Sequence, residues 1–160
     1  MIVVKTKEEI ELMREAALVV SKTLGEVAKA VKPGVTSLEL DKIAEECIRD
    51  QGAIPGFLGL YDFPNTLCMS PNSQVVHGIP NNTPLVEGDI ISIDCGAIKN
   101  DFYGDHAYTF EIGEIAPDIK KLLEVTKESL YVGIREFKLG NRVGDVGYAI
   151  QKYCEDHGYG

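Results

Sequence analysis

The chain of 160 residues has little of what marks several large protein classes. Its four cysteines, Cys47, Cys68, Cys95 and Cys154, form no C-x-x-C pair and no framework spacing, which excludes a disulfide-stapled mini-protein. They sit among apolar neighbours and read as reduced, small core residues. Basic residues are few: 16 Lys and Arg stand against 25 Asp and Glu, a formal charge of −9. No basic cluster occurs, so nucleic acid and anionic membrane are not expected as partners, and the charge reads first as solubility. No run approaches a membrane span, and Met1–Lys5 opens no apolar stretch long enough for a signal peptide, so the expected location is the cytoplasm. The motifs G-x-x-x-x-G-K-[ST], G-x-G-x-x-G and G-x-S-x-G are absent. What remains is a globular composition, 44% hydrophobic and 26% charged with 16 Gly and 7 Pro, unlike a disordered tail or a collagen-like fibre.

Helical patterning comes in two pairs. Thr6 and Glu9 form a capping box, followed by an apolar stripe of Ile10, Met13, Ala17, Val20, Leu24, Val27 and Val31, stopped at Lys32-Pro33-Gly34. Thr36 and Glu39 repeat the box before a second helix that ends near Gly52. From Ala53 to Ile112 short β-rich runs alternate with turn residues: Leu67–Ser70, Gln74–His77, Asp89–Ala97 and Phe102–Ile112. Helical spacing returns at Pro117, with Ile119, Leu122, Leu123, Thr126, Leu130, Ile134 and Phe137 on one side. Val143, Val146, Ile150, Tyr153 and Cys154 line a fourth helix that finishes at Gly158. Shifting the sequence by 106 residues lays Gly34 on Gly140 and Gly52 on Gly158, the mark of a pseudo-two-fold repeat. The expected organisation is one catalytic-domain fragment over 1–160. Its first helix–helix–sheet repeat spans about 6–112, and the helices of the second span about 113–158. On the repeat logic, roughly 60 residues of β structure are expected after Gly160.

The chemistry concentrates in Gly88–Phe110. Two β-rich runs flank the polar tip Lys99-Asn100-Asp101, which reads as a hairpin. A turn centred between Lys99 and Asn100 sets Asp94 directly opposite Asp105, on one face with Ile90, Ser92, Tyr103, Ala107 and Thr109. No basic side chain shares that face. The repulsion is then relieved by a shared proton, a basic group from elsewhere, or metal; two divalent ions about 3.5–4 Å apart fit best. The plainer alternatives are an Asp facing solvent, or a bulge that sends the two to opposite faces. His77 ends an apolar run before a Gly–Pro turn, where a side chain reaches a cleft; the plainer reading is a satisfied core or surface histidine. His106 points to the other face and reads as packing, and His157 suits the end of the fourth helix.

Several segments together resemble the N-terminal part of the type I methionine aminopeptidases. They are Lys32-Pro33-Gly34-Val35, Phe63-Pro64-Asn65-Thr66-Leu67-Cys68, Val75-Val76-His77-Gly78-Ile79-Pro80, Gly88-Asp89-Ile90-Ile91-Ser92-Ile93-Asp94 and Tyr103-Gly104-Asp105. The resemblance implies the α/β pita-bread fold, truncated in its second pseudo-repeat, and removal of the N-terminal methionine from peptides and nascent proteins by a metal-activated water. It implies two divalent ions (Co, Mn, Fe or Zn), with Asp94 chelating one and Asp105 bridging both. It implies that His77 contacts substrate near the scissile bond and assists proton handling. Cys68 and Phe63 would line the methionine side-chain pocket, where a soft sulfur and a ring suit a thioether. One His and two Glu of the ligand set, and a second substrate His, would come from the second half. A nascent-chain substrate also implies transient ribosome association, of which the charge gives no sign. Leu60-Tyr61-Asp62 departs from the commoner Tyr–x–Gly, and His106 from the small residue usual after the bridging Asp. The fragment alone is expected to be inactive. The rival readings are a proline-specific aminopeptidase or dipeptidase of the same fold, a non-enzymatic pita-bread protein, or a complete acidic binding module.

Overall fold

The computed structural model describes residues 3–160. The chain divides into two compact units, one ending at Glu114 and one running from Ile115 to Gly160.

In the first unit, helix α1 (Lys7–Ala30) starts where its capping box dictates. The Thr6 hydroxyl accepts the Glu9 N–H at 3.1 Å, while the Glu9 carboxylate accepts the Thr6 N–H at 2.7 Å. Helix α2 (Ser37–Asp50) repeats the device with Thr36 and Glu39, and the chain leaves it at Gly52 with φ 67°. The strands are β1 (Ile54–Pro55), β2 (Leu67–Pro71), β3 (Ile90–Lys99) and β4 (Phe102–Glu111). β4 pairs antiparallel along the whole of β3, so β1 and β2 share the other edge of β3 end to end. Leu67, Met69, Ile91, Ile93, Cys95 and Ala97 face the helices and meet Val20, Leu24, Val27, Leu40, Ala44 and Ile48 in one buried core.

The buried stripe of α1 differs from the expected one. Ala16, Val19, Val20, Thr23, Leu24 and Val27 are buried, whereas Ile10, Met13 and Ala17 are exposed. The reason lies in β4. A Cβ at Gly104 would overlap the Ala16 carbonyl, so the bare glycine lets the helix backbone rest on the strand there and turns Met13 and Ala17 outward. Two further expectations fail. Gln74–His77 is not a strand, because Asn72 (φ 51°) and Val76 (φ 61°) turn the chain through left-handed backbone. Among the cysteines, Cys68 and Cys95 are core residues, but Cys47 and Cys154 are only half-buried.

The second unit is a helix pair, α3 (Pro117–Glu136) and α4 (Val143–Asp156). The stripe that α3 buries is Val125, Ser129 and Gly133, and Gly133 leaves room for the Ile150 side chain of α4. Leu130, Ile134 and Phe137, expected to be inward-facing, are exposed, as is Val143. Adding 106 to the bounds of α2 gives the bounds of α4, and adding it to Ala30 gives Glu136. The turn glycines follow the same offset: Gly34 and Gly140 have φ 91° and 97°. So do the caps, with Arg142 and Asp145 standing where Thr36 and Glu39 stand.

Candidate active site

The hairpin register sets the site. Asn100 (φ 52°) and Asp101 (φ 63°) occupy the two central turn positions, so the turn centres between them and Lys99 pairs with Phe102. Asp94 therefore pairs with Ala107, and Asp105 with Gly96. The two aspartates are diagonal neighbours on one face, not directly opposite as expected from a turn one position earlier. No bulge intervenes, and direct partners share a face. Cys68, which pairs with Asp94 from β2, thus joins both carboxylates on the face turned away from the helices. His106 lies on the opposite face, as alternation requires, but it is exposed and not packed.

Local contacts hold the segments that border this face. Asp41 of α2, itself buried, accepts the Leu67 N–H at 2.7 Å and the Asn65 amide at 2.9 Å, which fixes the entry of β2 beside Cys68. Burial nonetheless pushes the Asp41 carboxyl above its ordinary range. The Ser70 hydroxyl donates to the Val76 carbonyl at 2.7 Å and accepts the Gly78 N–H at 3.1 Å, clamping the backbone on both sides of His77. The Met69 N–H donates to the Gly78 carbonyl at 2.8 Å, and a Cβ at Gly78 would overlap the Met69 carbonyl. Only glycine fits so close to the strand. At Gly96, a Cβ would overlap the Phe57 ring, so this missing side chain admits an aromatic wall beside Asp105.

These groups converge on a cavity of about 540 Å³. Phe63, Cys68, His77, Asp94 and Asp105 all line it. Phe57, Leu60, Tyr61, Asp62, Pro64 and Ile79 complete the wall, and among the described residues no Lys or Arg does. Burial pushes Asp94 above the usual carboxylate range, and the Asp105 charge and a hydrogen bond between the two carboxyl groups add to it. His77 and the Cys95 N–H act the other way. Burial, then the charges of Asp94 and Asp105, push the Cys68 thiol up to about 11, so at neutral pH it is an uncharged sulfur.

The sequence profile described as "Metallopeptidase family M24" matches residues 11–160. The chain belongs to metallopeptidase family M24. It is 50% identical over 161 residues to the methionine aminopeptidase of Clostridium acetobutylicum, covering 100% of this chain and 64% of that one. The crystal structure of methionine aminopeptidase from Rickettsia prowazekii superposes with a TM-score of 0.96 at 38% identity, covering 98% of this chain and 63% of that one. The Xaa-Pro dipeptidase of Bacillus anthracis shares the fold alone, with a TM-score of 0.86 at 22% identity. The mixed α/β architecture is that of the pita-bread enzymes, and this M24 chain spans just under two thirds of the length of the methionine aminopeptidases it matches.

Membership of a metallopeptidase family implies a divalent cation, and the M24 chain's residues fit one. Among the described residues, Oδ1 of Asp94 is buried with no hydrogen-bond partner, beside a second carboxylate and with no basic side chain lining the cavity. A buried anionic oxygen of that kind is costly without a cation or a proton. Among the described residues no group of three or more His, Cys, Asp or Glu is gathered for a metal, so the two aspartates are a partial donor set. Phe57 carried no sequence signal, and Ile79 lay in a matching segment without being given a role. The Phe57 contact depends on a glycine 39 positions later, a pairing that no local pattern displays.

Proposed function

We propose that the protein carrying this chain is a methionyl aminopeptidase, which hydrolyses the first peptide bond of peptides and nascent proteins that begin with methionine. The observation that carries the reading is the convergence, in one cavity, of a paired-carboxylate wall with a sulfur-and-aromatic wall. Asp94 and Asp105 would hold the divalent cation, or two cations, of cobalt, manganese, iron or zinc type. When bound, the cation supplies Lewis acidity toward the peptide carbonyl and the attacking water.

The chain's own residues do the rest. Cys68, neutral and buried, and the half-buried Phe63 ring receive an unbranched thioether side chain through dispersion and sulfur–aromatic contact. His77, clamped by Ser70, presents its ring to the bond that follows that side chain, where it hydrogen-bonds the peptide and passes a proton toward the departing amine. Water adds its oxygen to the carbonyl carbon, the C–N bond breaks, and the amine leaves protonated. The reading places the enzyme in the cytoplasm, where new chains begin with methionine; among the described residues no helix is long and apolar enough to cross a membrane. Transient contact with the ribosome follows from a nascent substrate.

The test is hydrolysis of Met-Ala-Ser and of a Xaa-Pro dipeptide by the full-length protein, with each of the four cations added in turn. Release of methionine, with the proline substrate untouched, is expected. Cleavage of the proline substrate alone favours the proline-specific reading, and no cleavage of either with any cation favours a binding protein.

A further inference from the structure

We propose that Asp62 is a specificity residue. Its carboxylate, at the rim of the cavity, favours peptides with a basic side chain among the residues that follow the first, and disfavours acidic ones. The inference rests on the reading of the cavity as a peptide site.

Exposure grades outward along the wall: Cys68 is buried, Phe63 half-buried, Asp62 exposed and Tyr61 96% exposed. The first side chain fills the inner wall, so the rim meets what comes after it. The Asp62 carboxylate makes no hydrogen bond or ion pair among the described residues, unlike those of Asp41 and Asp89, which serve neighbouring backbone and amide groups. Among the described residues no Lys or Arg lines the cavity to compensate it. Asp94 and Asp105 face a cation when one is bound, which leaves Asp62 as the uncompensated charge of the wall. The backbone does not call for this side chain either. At φ 64° a glycine would sit with less strain, as in the commoner Tyr–x–Gly, and an aspartate is tolerated there without being required. A rim carboxylate attracts a passing cation and repels an anion, each by roughly two- to threefold for an exposed pair.

The experiment compares Met-Ala-Lys-Ser with Met-Ala-Glu-Ser, alanine holding the second position constant, on the full-length protein at low salt. Two measurements are made: kcat/KM with cation added, and equilibrium binding to the metal-free protein. The expected Lys-to-Glu ratio is roughly four- to tenfold in both, shrinking as salt rises. Asp62→Asn and Asp62→Gly are expected to bring it close to one in turnover with cation bound and to lower it in the metal-free protein, where the Asp94 and Asp105 charges persist, while Asp50→Asn, which removes an exposed carboxylate outside the cavity, leaves it unchanged in both. A ratio that survives both Asp62 substitutions overturns the inference and leaves the aminopeptidase reading standing. Discrimination in binding that depends on Asp62, without turnover of either peptide, supports the inference and counts against that reading.

Discussion

Asp94→Asn should make the metal-free protein more stable at neutral pH, although it removes a group at the centre of the site. The ionised side chain has a buried oxygen with no partner and a second carboxylate close by, so its folded-state pKa lies above the ordinary 3.8. For an acid raised on folding, stability is full below the ordinary value and is lost as pH rises through the raised one. A buried acceptor left unpaired costs about 1–3 kcal/mol, and since Asp94 is only half-buried the cost relieved lies at the low end, about 1 kcal/mol. The asparagine variant escapes this loss. It should match the wild type near pH 3.5 and exceed it at pH 7 by about 1 kcal/mol, or about 2–4 °C in Tm for a chain of this size class. With a divalent cation at a hundredfold excess over its Kd the order reverses, since the wild type gains about 2.7 kcal/mol that the variant largely forgoes. Thermal denaturation of the full-length protein at both pH values, with and without cation, reads all four quantities. A variant that is less stable at pH 7 without metal would show that Asp94 serves as a structural acceptor, and the argument from its orphaned oxygen would fall.

Ser70→Ala strands the Val76 carbonyl and the Gly78 N–H, and should cost about 1–3 kcal/mol in urea denaturation. By loosening His77 it should also lower kcat more than it raises KM; an effect confined to stability would mean that the clamp does not position the histidine. Gly78→Ala drives a methyl into the Met69 carbonyl and should cost about 1–3 kcal/mol, and a neutral result would show that the loop has room to move away from β2. The Cys68 thiol, pushed up to about 11, should resist iodoacetamide at pH 8 over the hours in which the half-buried Cys47 and Cys154 react. Mass mapping of the labelled peptides checks this, and prompt labelling of Cys68 would refute its neutrality.

Local chemistry was legible in the sequence; long-range closeness was not. The capping boxes at Thr6 and Thr36 state where helices begin, and the structure starts α1 and α2 there. The hairpin was legible as a hairpin, but its centre was misplaced. Two central residues with positive φ are needed, and Asn100-Asp101 tolerate that backbone better than Lys99-Asn100. The error leaves the faces intact, because moving the turn by one position shifts each partner by two residues, and two residues is one full period of a strand. That is why Asp94 and Asp105 share a face in either register. The rotation of α1 was not legible, since it follows from a glycine in β4, 88 positions after the alanine that rests on it. The β-branched pair Val75-Val76 suggested a strand, yet Val76 stands in left-handed backbone that such residues seldom adopt.

That exception belongs to a pattern. Tyr61, Asp62 and Val76 all have positive φ, none is glycine, and each lines the cavity or adjoins a residue that does. Left-handed backbone costs such residues of order 1–2 kcal/mol each, so hydrogen bonds elsewhere must hold it. For Val76 the holder is visible in the Ser70 hydroxyl, buried on the same strand face as Cys68. For Tyr61 and Asp62 it is the backbone of a short turn, in which the Gly59 N–H donates to the Phe63 carbonyl at 2.8 Å and the Phe63 N–H to the Leu60 carbonyl at 3.0 Å. The two strained segments thus differ in what secures them. The His77 segment is tied by a side chain to a buried strand, as the proton-handling role proposed for His77 would require. The Tyr61–Asp62 turn is tied, among the described residues, by the backbone of its own loop, which suits the role proposed for it at the rim of a peptide site.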